Sequence, residues 1–74
     1  MSYERTQQIE HRLNETIDLI SRKGLNANQL ASELDVSLPT IQRSITALRR
    51  RGYKIRSVRD ELGWRYEFIG GPNG

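Results

Sequence analysis

Apolar residues between Thr6 and Lys23 fall at Ile9, Leu13, Ile17 and Ile20, spaced four, four and three apart. That spacing draws one stripe along a helix and turns Glu10, His11, Asn14 and Asp18 away from it, predicting a first helix from about Thr6 to Lys23. Gly24, after the basic pair Arg22–Lys23, is a usual helix stop. Leu19 lies off the stripe, either at the edge of the core or on a self-association surface. Asn26 with Gln29 three positions on is the pattern of a capping box, and Leu30, Ala31 and Leu34 give a short second helix, about Ala27 to Leu34, its buried side. Val36, apolar between Asp35 and Ser37, is expected to pin a tight turn into the core, with Asp35 in the left-handed conformation that Asp tolerates.

Ser37 predicts the cap of a third helix, roughly Leu38 to Arg51, with Pro39 in the first turn, where its missing N–H has no helical partner anyway. Ile41, Ile45 and Leu48 form the buried stripe of that helix, and Gly52 ends it. The pattern then changes period. Tyr53–Arg59 and Trp64–Ile69 read as strands, and in the second Trp64, Tyr66 and Phe68 alternate with Arg65 and Glu67 as in a half-buried strand. Asp60-Glu61-Leu62-Gly63 reads as the hairpin turn between them, and core packing is the expected role of the three aromatics. One domain over 1–69 is expected, followed by a mobile tail over 70–74.

Composition narrows what such a chain can do. Only 35% of its 74 residues are hydrophobic, enough for one thin core. It has no cysteine and a single histidine, His11, which removes disulfide frameworks, the usual zinc sets and most nucleophile–base pairs. Neither a Walker loop nor a Ser/His/Asp arrangement occurs, so the reading is not an enzyme and calls for no cofactor, no metal and no small-molecule ligand. Apolar runs are too short to span a membrane, and the polar start is unlike a signal peptide, so a cytoplasmic protein is expected.

Charge separates the two halves. Residues 1–37 carry four basic against six acidic side chains, whereas residues 38–74 carry eight against three. A basic second half is the footprint of a protein that meets phosphates. Burying Ile41, Ile45 and Leu48 turns Pro39, Gln42, Arg43, Thr46 and Arg50 outward. Gln can bond adenine bidentately, Arg can bond guanine O6 and N7, and the Thr methyl can meet a thymine methyl. Ser37 and Thr40, at the electropositive helix start, suit a phosphate, and Arg49 is a further phosphate candidate.

The run Leu30-Ala-Ser-Glu-Leu-Asp-Val-Ser-Leu-Pro-Thr-Ile-Gln-Arg-Ser-Ile-Thr-Ala-Leu48, followed by Arg51-Gly-Tyr-Lys-Ile-Arg-Ser-Val-Arg59 and Gly63-Trp-Arg-Tyr66, resembles the winged helix-turn-helix family. The likeness is to its small bacterial type, as at the N-terminus of the biotin operon repressor and in deoxyribonucleoside-type repressors, and it covers about residues 6–69. It implies a mainly α fold with a small β-hairpin, ordered α-α-α-β-β, with a short extra strand near Leu25 as its one optional element. It also implies sequence-specific binding of double-stranded DNA by a nucleoid-associated transcriptional regulator, a repressor or a phage- or plasmid-type switch. The third helix would enter the major groove, with the hairpin as wing and a homodimer reading a two-fold site. Two departures stand out: Asp35 where the family turn usually has glycine, and the acidic Asp60-Glu61 at the wing tip. The second leaves Arg56, Arg59 and Arg65 as the wing candidates. It also motivates the competing reading, a winged-helix module that binds protein and has no DNA affinity.

Overall fold

A computed structural model describes the backbone of residues 2–61 and 63–72 and the side chains of residues 7–61 and 63–72. Three helices, α1 (Ser2–Arg22), α2 (Ala27–Leu34) and α3 (Leu38–Arg50), precede an antiparallel hairpin of β1 (Lys54–Asp60) and β2 (Gly63–Gly70). This is the expected α-α-α-β-β order. Helix α1 begins upstream of the expected Thr6 because no Gly or Pro interrupts residues 2–8; the apolar stripe marks only the part of a helix that meets the core.

Leu13, Ile20, Leu30, Ile41, Ile45, Leu48 and Ile55 form the buried core. Ile17 and Leu19 pack against it half-buried, so Leu19 takes the edge-of-core position. Ile9, expected on the buried stripe, is 46% exposed, because it lies a turn beyond Leu13, where α1 runs past the core. Thr16 is fully buried instead, its hydroxyl donating to the Arg12 carbonyl at 2.8 Å and so spending its polarity inside the helix.

The turn between α2 and α3 is built by local chemistry. Asn26 Oδ1 accepts from the Gln29 N–H at 2.7 Å and Gln29 Oε1 accepts from the Asn26 N–H at 2.9 Å, completing the capping box. Asp35 adopts the left-handed region at φ 55°, ψ 50°, and the Val36 N–H turns back to the Ala31 carbonyl at 2.9 Å. Ser37 caps α3 by accepting from the Thr40 N–H at 3.3 Å. Helix α3 stops at Arg50, with Arg51 as its cap, because Gly52 takes φ 97° and sends the chain into β1.

In the hairpin Ile55 pairs with Phe68, Ser57 with Tyr66 and Arg59 with Trp64, and cross-strand partners share a face. Ile55, Phe68 and Tyr66 cover the core, and the Tyr53 and Phe68 rings lie 6.4 Å apart. Trp64 departs from the expected core packing and is 59% exposed: the core runs out before the distal end of the hairpin, and the indole carries the Arg59 guanidinium 5.9 Å above it. Strand β2 also meets the α1–α2 linker, where the Tyr66 N–H donates to the Leu25 carbonyl at 2.8 Å. Among the described residues this single bond stands in place of an extra strand near Leu25. Gly70 closes β2, and a Cβ on Gly52 would come within 3.3 Å of the Pro72 ring. Leu62 in the turn and residues 73–74 of the tail lie outside the described residues.

Candidate nucleic-acid interface

Helix α3 is held from behind and bare in front. Ile41, Ser44, Ile45 and Leu48 are buried on one side, while Pro39, Gln42, Arg43, Thr46 and Arg50 are all exposed on the other and line one shallow surface with Ala47. The Thr46 hydroxyl donates to the Gln42 carbonyl at 3.0 Å, which leaves the methyl as the free end of that side chain. Among the described residues, no hydrogen bond or ion pair engages the side chains of Gln42, Arg43 or Arg50. Their donors are therefore available to an incoming partner without breaking any bond within the fold.

At the start of α3, the hydroxyls of Ser37 and Thr40 lie 2.9 Å apart. Pro39 has no N–H and the Thr40 N–H goes to Ser37, so the Leu38 N–H is the donor left in that turn to reinforce the two hydroxyls toward an anion.

Arg49, Arg50 and Arg51 have three separate employments. The Arg49 Nε–H donates to the Ile55 carbonyl at 2.9 Å, tying the end of α3 to β1. Arg51 grips the Glu10 carboxylate of α1 with both terminal nitrogens, Nη1 to Oε1 at 2.8 Å and Nη2 to Oε2. That bidentate bond holds the Glu10 carboxyl below its ordinary value of 4.5, only partly opposed by desolvation, and raises Arg51 in return. Arg50 is exposed and, among the described residues, has no hydrogen-bond or ion-pair partner.

The hairpin arginines are arranged differently. Arg56 Nε and Nη2 reach Glu67 Oε1 at 2.7 and 2.6 Å. Arg65 Nε reaches Asp60 Oδ2 at 3.0 Å, and its Nη1 lies 3.7 Å from Glu67 Oε2. Its aliphatic stem passes so close to the linker that a Cβ on Gly24 would sit 3.2 Å from Arg65 Cδ. Arg59 lies over Trp64. The exposed front of α3 is thus free of acids, whereas two of the three wing candidates face acids within their own hairpin.

Sequence reasoning passed over Arg12. This residue, half-buried on α1, lines a groove between α1 and α3 with Ile9, Thr40, Arg43 and Ala47. Its signal was its place three residues after Ile9 and four before Thr16, on the flank of the stripe that meets α3.

Among the described residues no group of three or more His, Asp or Glu could hold a metal ion, and no helix is long and apolar enough to cross a membrane. Residues 6–65 match the family model of the helix-turn-helix (HTH) domain. No curated protein and no solved structure matches the chain.

Proposed function

Because the chain belongs to the HTH domain family, we propose that it binds double-stranded DNA in a sequence-dependent way, as a small cytoplasmic transcriptional regulator or a phage- or plasmid-type switch acting at the nucleoid. The observation that carries the reading is the front of α3, where Gln42, Arg43, Thr46 and Arg50 are exposed on a helix fixed by buried residues behind it and, among the described residues, the side chains of Gln42, Arg43 and Arg50 are unengaged. On this reading Gln42 and Arg43 address base edges, the Thr46 methyl and Pro39 fill apolar space in the groove, and Arg50 reaches base or backbone. Ser37 and Thr40 hold a phosphate at the helix start, and Arg49, whose Nε is spent on Ile55, offers its terminal nitrogens to another. Arg59 is the wing cation closest to free; Arg56 and Arg65 reach a phosphate only by leaving their carboxylates. A two-fold pair of chains, meeting along the outer edge of α1 or through the hairpins, reads a palindromic site.

Selected duplexes titrated by fluorescence anisotropy test the reading. Gln42→Ala and Arg43→Ala are expected to weaken binding and relax base preference at separate positions, and unchanged affinity and preference in both variants rejects it. A second reading, a protein-binding module, draws on the neutralised hairpin with Trp64 59% and Ile69 52% exposed. Stoichiometric, salt-insensitive capture of a protein partner through Trp64, with no duplex affinity, would favour it over the first.

A further inference from the structure

A groove separates the exposed edges of α1 and α3. It is lined by Ile9 and Arg12 of α1 and by Thr40, Arg43 and Ala47 of α3, and it shares Arg43 and Ala47 with the exposed front of α3. None of the residues lining either surface is acidic. Arg12 has no ion pair among the described residues; on its other side it borders a surface shared with Glu15 and Asp35, of which Glu15 faces His11, 3.4 Å away. Arg12, Arg43 and Arg50, none of them ion-paired among the described residues, therefore form a cationic band from α1 across α3, while the hairpin on the same molecule spends Arg56 and Arg65 on Asp60 and Glu67.

Resting on the DNA-binding reading above, we propose that α1 supplies the second backbone contact: Arg12 binds a phosphate on the strand flanking the groove that α3 enters, and the hairpin is secondary. The dimensions favour this arrangement. The major groove is about 12 Å wide, and packed helices lie roughly 8–10 Å apart, so a helix packed beside one inserted in the groove rides over its sugar–phosphate wall. Arg12 presents the cation such a wall attracts, Thr40 lies on the α3 side of the same groove, and Ile9 offers an apolar surface to the deoxyribose edge. An arginine–phosphate pair of this kind carries no sequence information, which fits its distance from Gln42 and Thr46 on the recognition front.

The test compares Arg12→Gln with Arg56→Gln in the full chain, titrating a selected and a scrambled duplex at several salt concentrations. Removing one cation–phosphate pair from a complex with duplex DNA reduces the log–log salt slope by about 0.9. Arg12→Gln is expected to weaken both duplexes by the same factor and to reduce the slope by that amount, whereas Arg56→Gln reduces the slope by less. Thermal melting checks that each variant folds, and sedimentation checks its mass. An unchanged slope in Arg12→Gln, with Arg43→Ala still relaxing preference at its base pair, overturns the α1 role and spares the wider reading. No effect from Arg43→Ala and Gln42→Ala removes the wider reading itself. A change in mass on substituting Arg12 also overturns the proposal, because the groove would then be an interface between copies.

Discussion

Helix α3 and the hairpin are both rich in arginine, yet the hairpin sets two of its three arginines against carboxylates and the front of α3 sets none. From Leu38 through Arg51 there is no acidic residue, so a cation on the front of α3 has no local carboxylate to turn to. In the hairpin, antiparallel register sets Arg56 opposite Glu67, and Arg65 reaches both Asp60 and Glu67. A count of arginines, three in each, treats the two regions alike, whereas a phosphate meets the unpaired Arg43 and Arg50 in one and the carboxylate-bound Arg56 and Arg65 in the other. Exposed pairs of this kind contribute only about 0–1 kcal/mol to stability, so their main effect here is to lower the positive potential of the wing.

The sharpest way to break this contrast is to truncate one arginine in each region. Arg43→Ala is expected to cost about 1–3 kcal/mol of binding to a selected duplex and to relax preference at one base pair. Arg56→Ala should change affinity far less; equal losses by anisotropy would mean that the paired cation was free after all. Next in size is the turn that aims α3. Asp35 holds φ 55°, and a β-branched replacement there is strained, so Asp35→Val is expected to lower stability by about 1–2 kcal/mol in denaturant titration.

A third experiment sharpens the contrast by abolishing it. Glu67→Gln removes the partner of Arg56 and one partner of Arg65. Non-specific duplex affinity should rise, with a salt slope steeper by about 0.9 for each phosphate newly engaged, while stability shifts by no more than about 1 kcal/mol. The smallest effect concerns Glu10 and Arg51. The bond to Arg51 lowers the Glu10 carboxyl, so its stabilising contribution is fully present above the ordinary value of 4.5 and fades as pH falls through the lowered one. Melting temperature followed into acid should fall less steeply for Glu10→Gln than for the parent chain.

Much of the frame was legible because local chemistry wrote it. Asn26 with Gln29, Ser37 before Pro39, and Gly52 after the basic run each act within a few residues, and each does in the structure what its spacing implied. The outward set on α3 followed from burying Ile41, Ile45 and Leu48, because helical periodicity alone fixes what lies opposite. Features governed by extent or by distant pairing were hidden. Alternation told which face Trp64 shares with Tyr66 and Phe68, but not that the core ends before reaching it. The Glu10–Arg51 grip joins residues 41 positions apart, and the partners of Arg56 and Arg65 depend on strand register and turn length, which no short window of sequence reports.

The Arg49–Ile55 bond has a consequence for the company the hairpin keeps. A two-stranded ribbon offers two open flanks to any extended chain that could add itself as a further strand. One flank of this ribbon is met at Tyr66 by the Leu25 carbonyl, and on the other strand the Ile55 carbonyl is already taken by Arg49. A recruiting strand must therefore evict a built-in guard on either side, and losing the Arg49 guanidinium would leave the β1 flank open to adhesion.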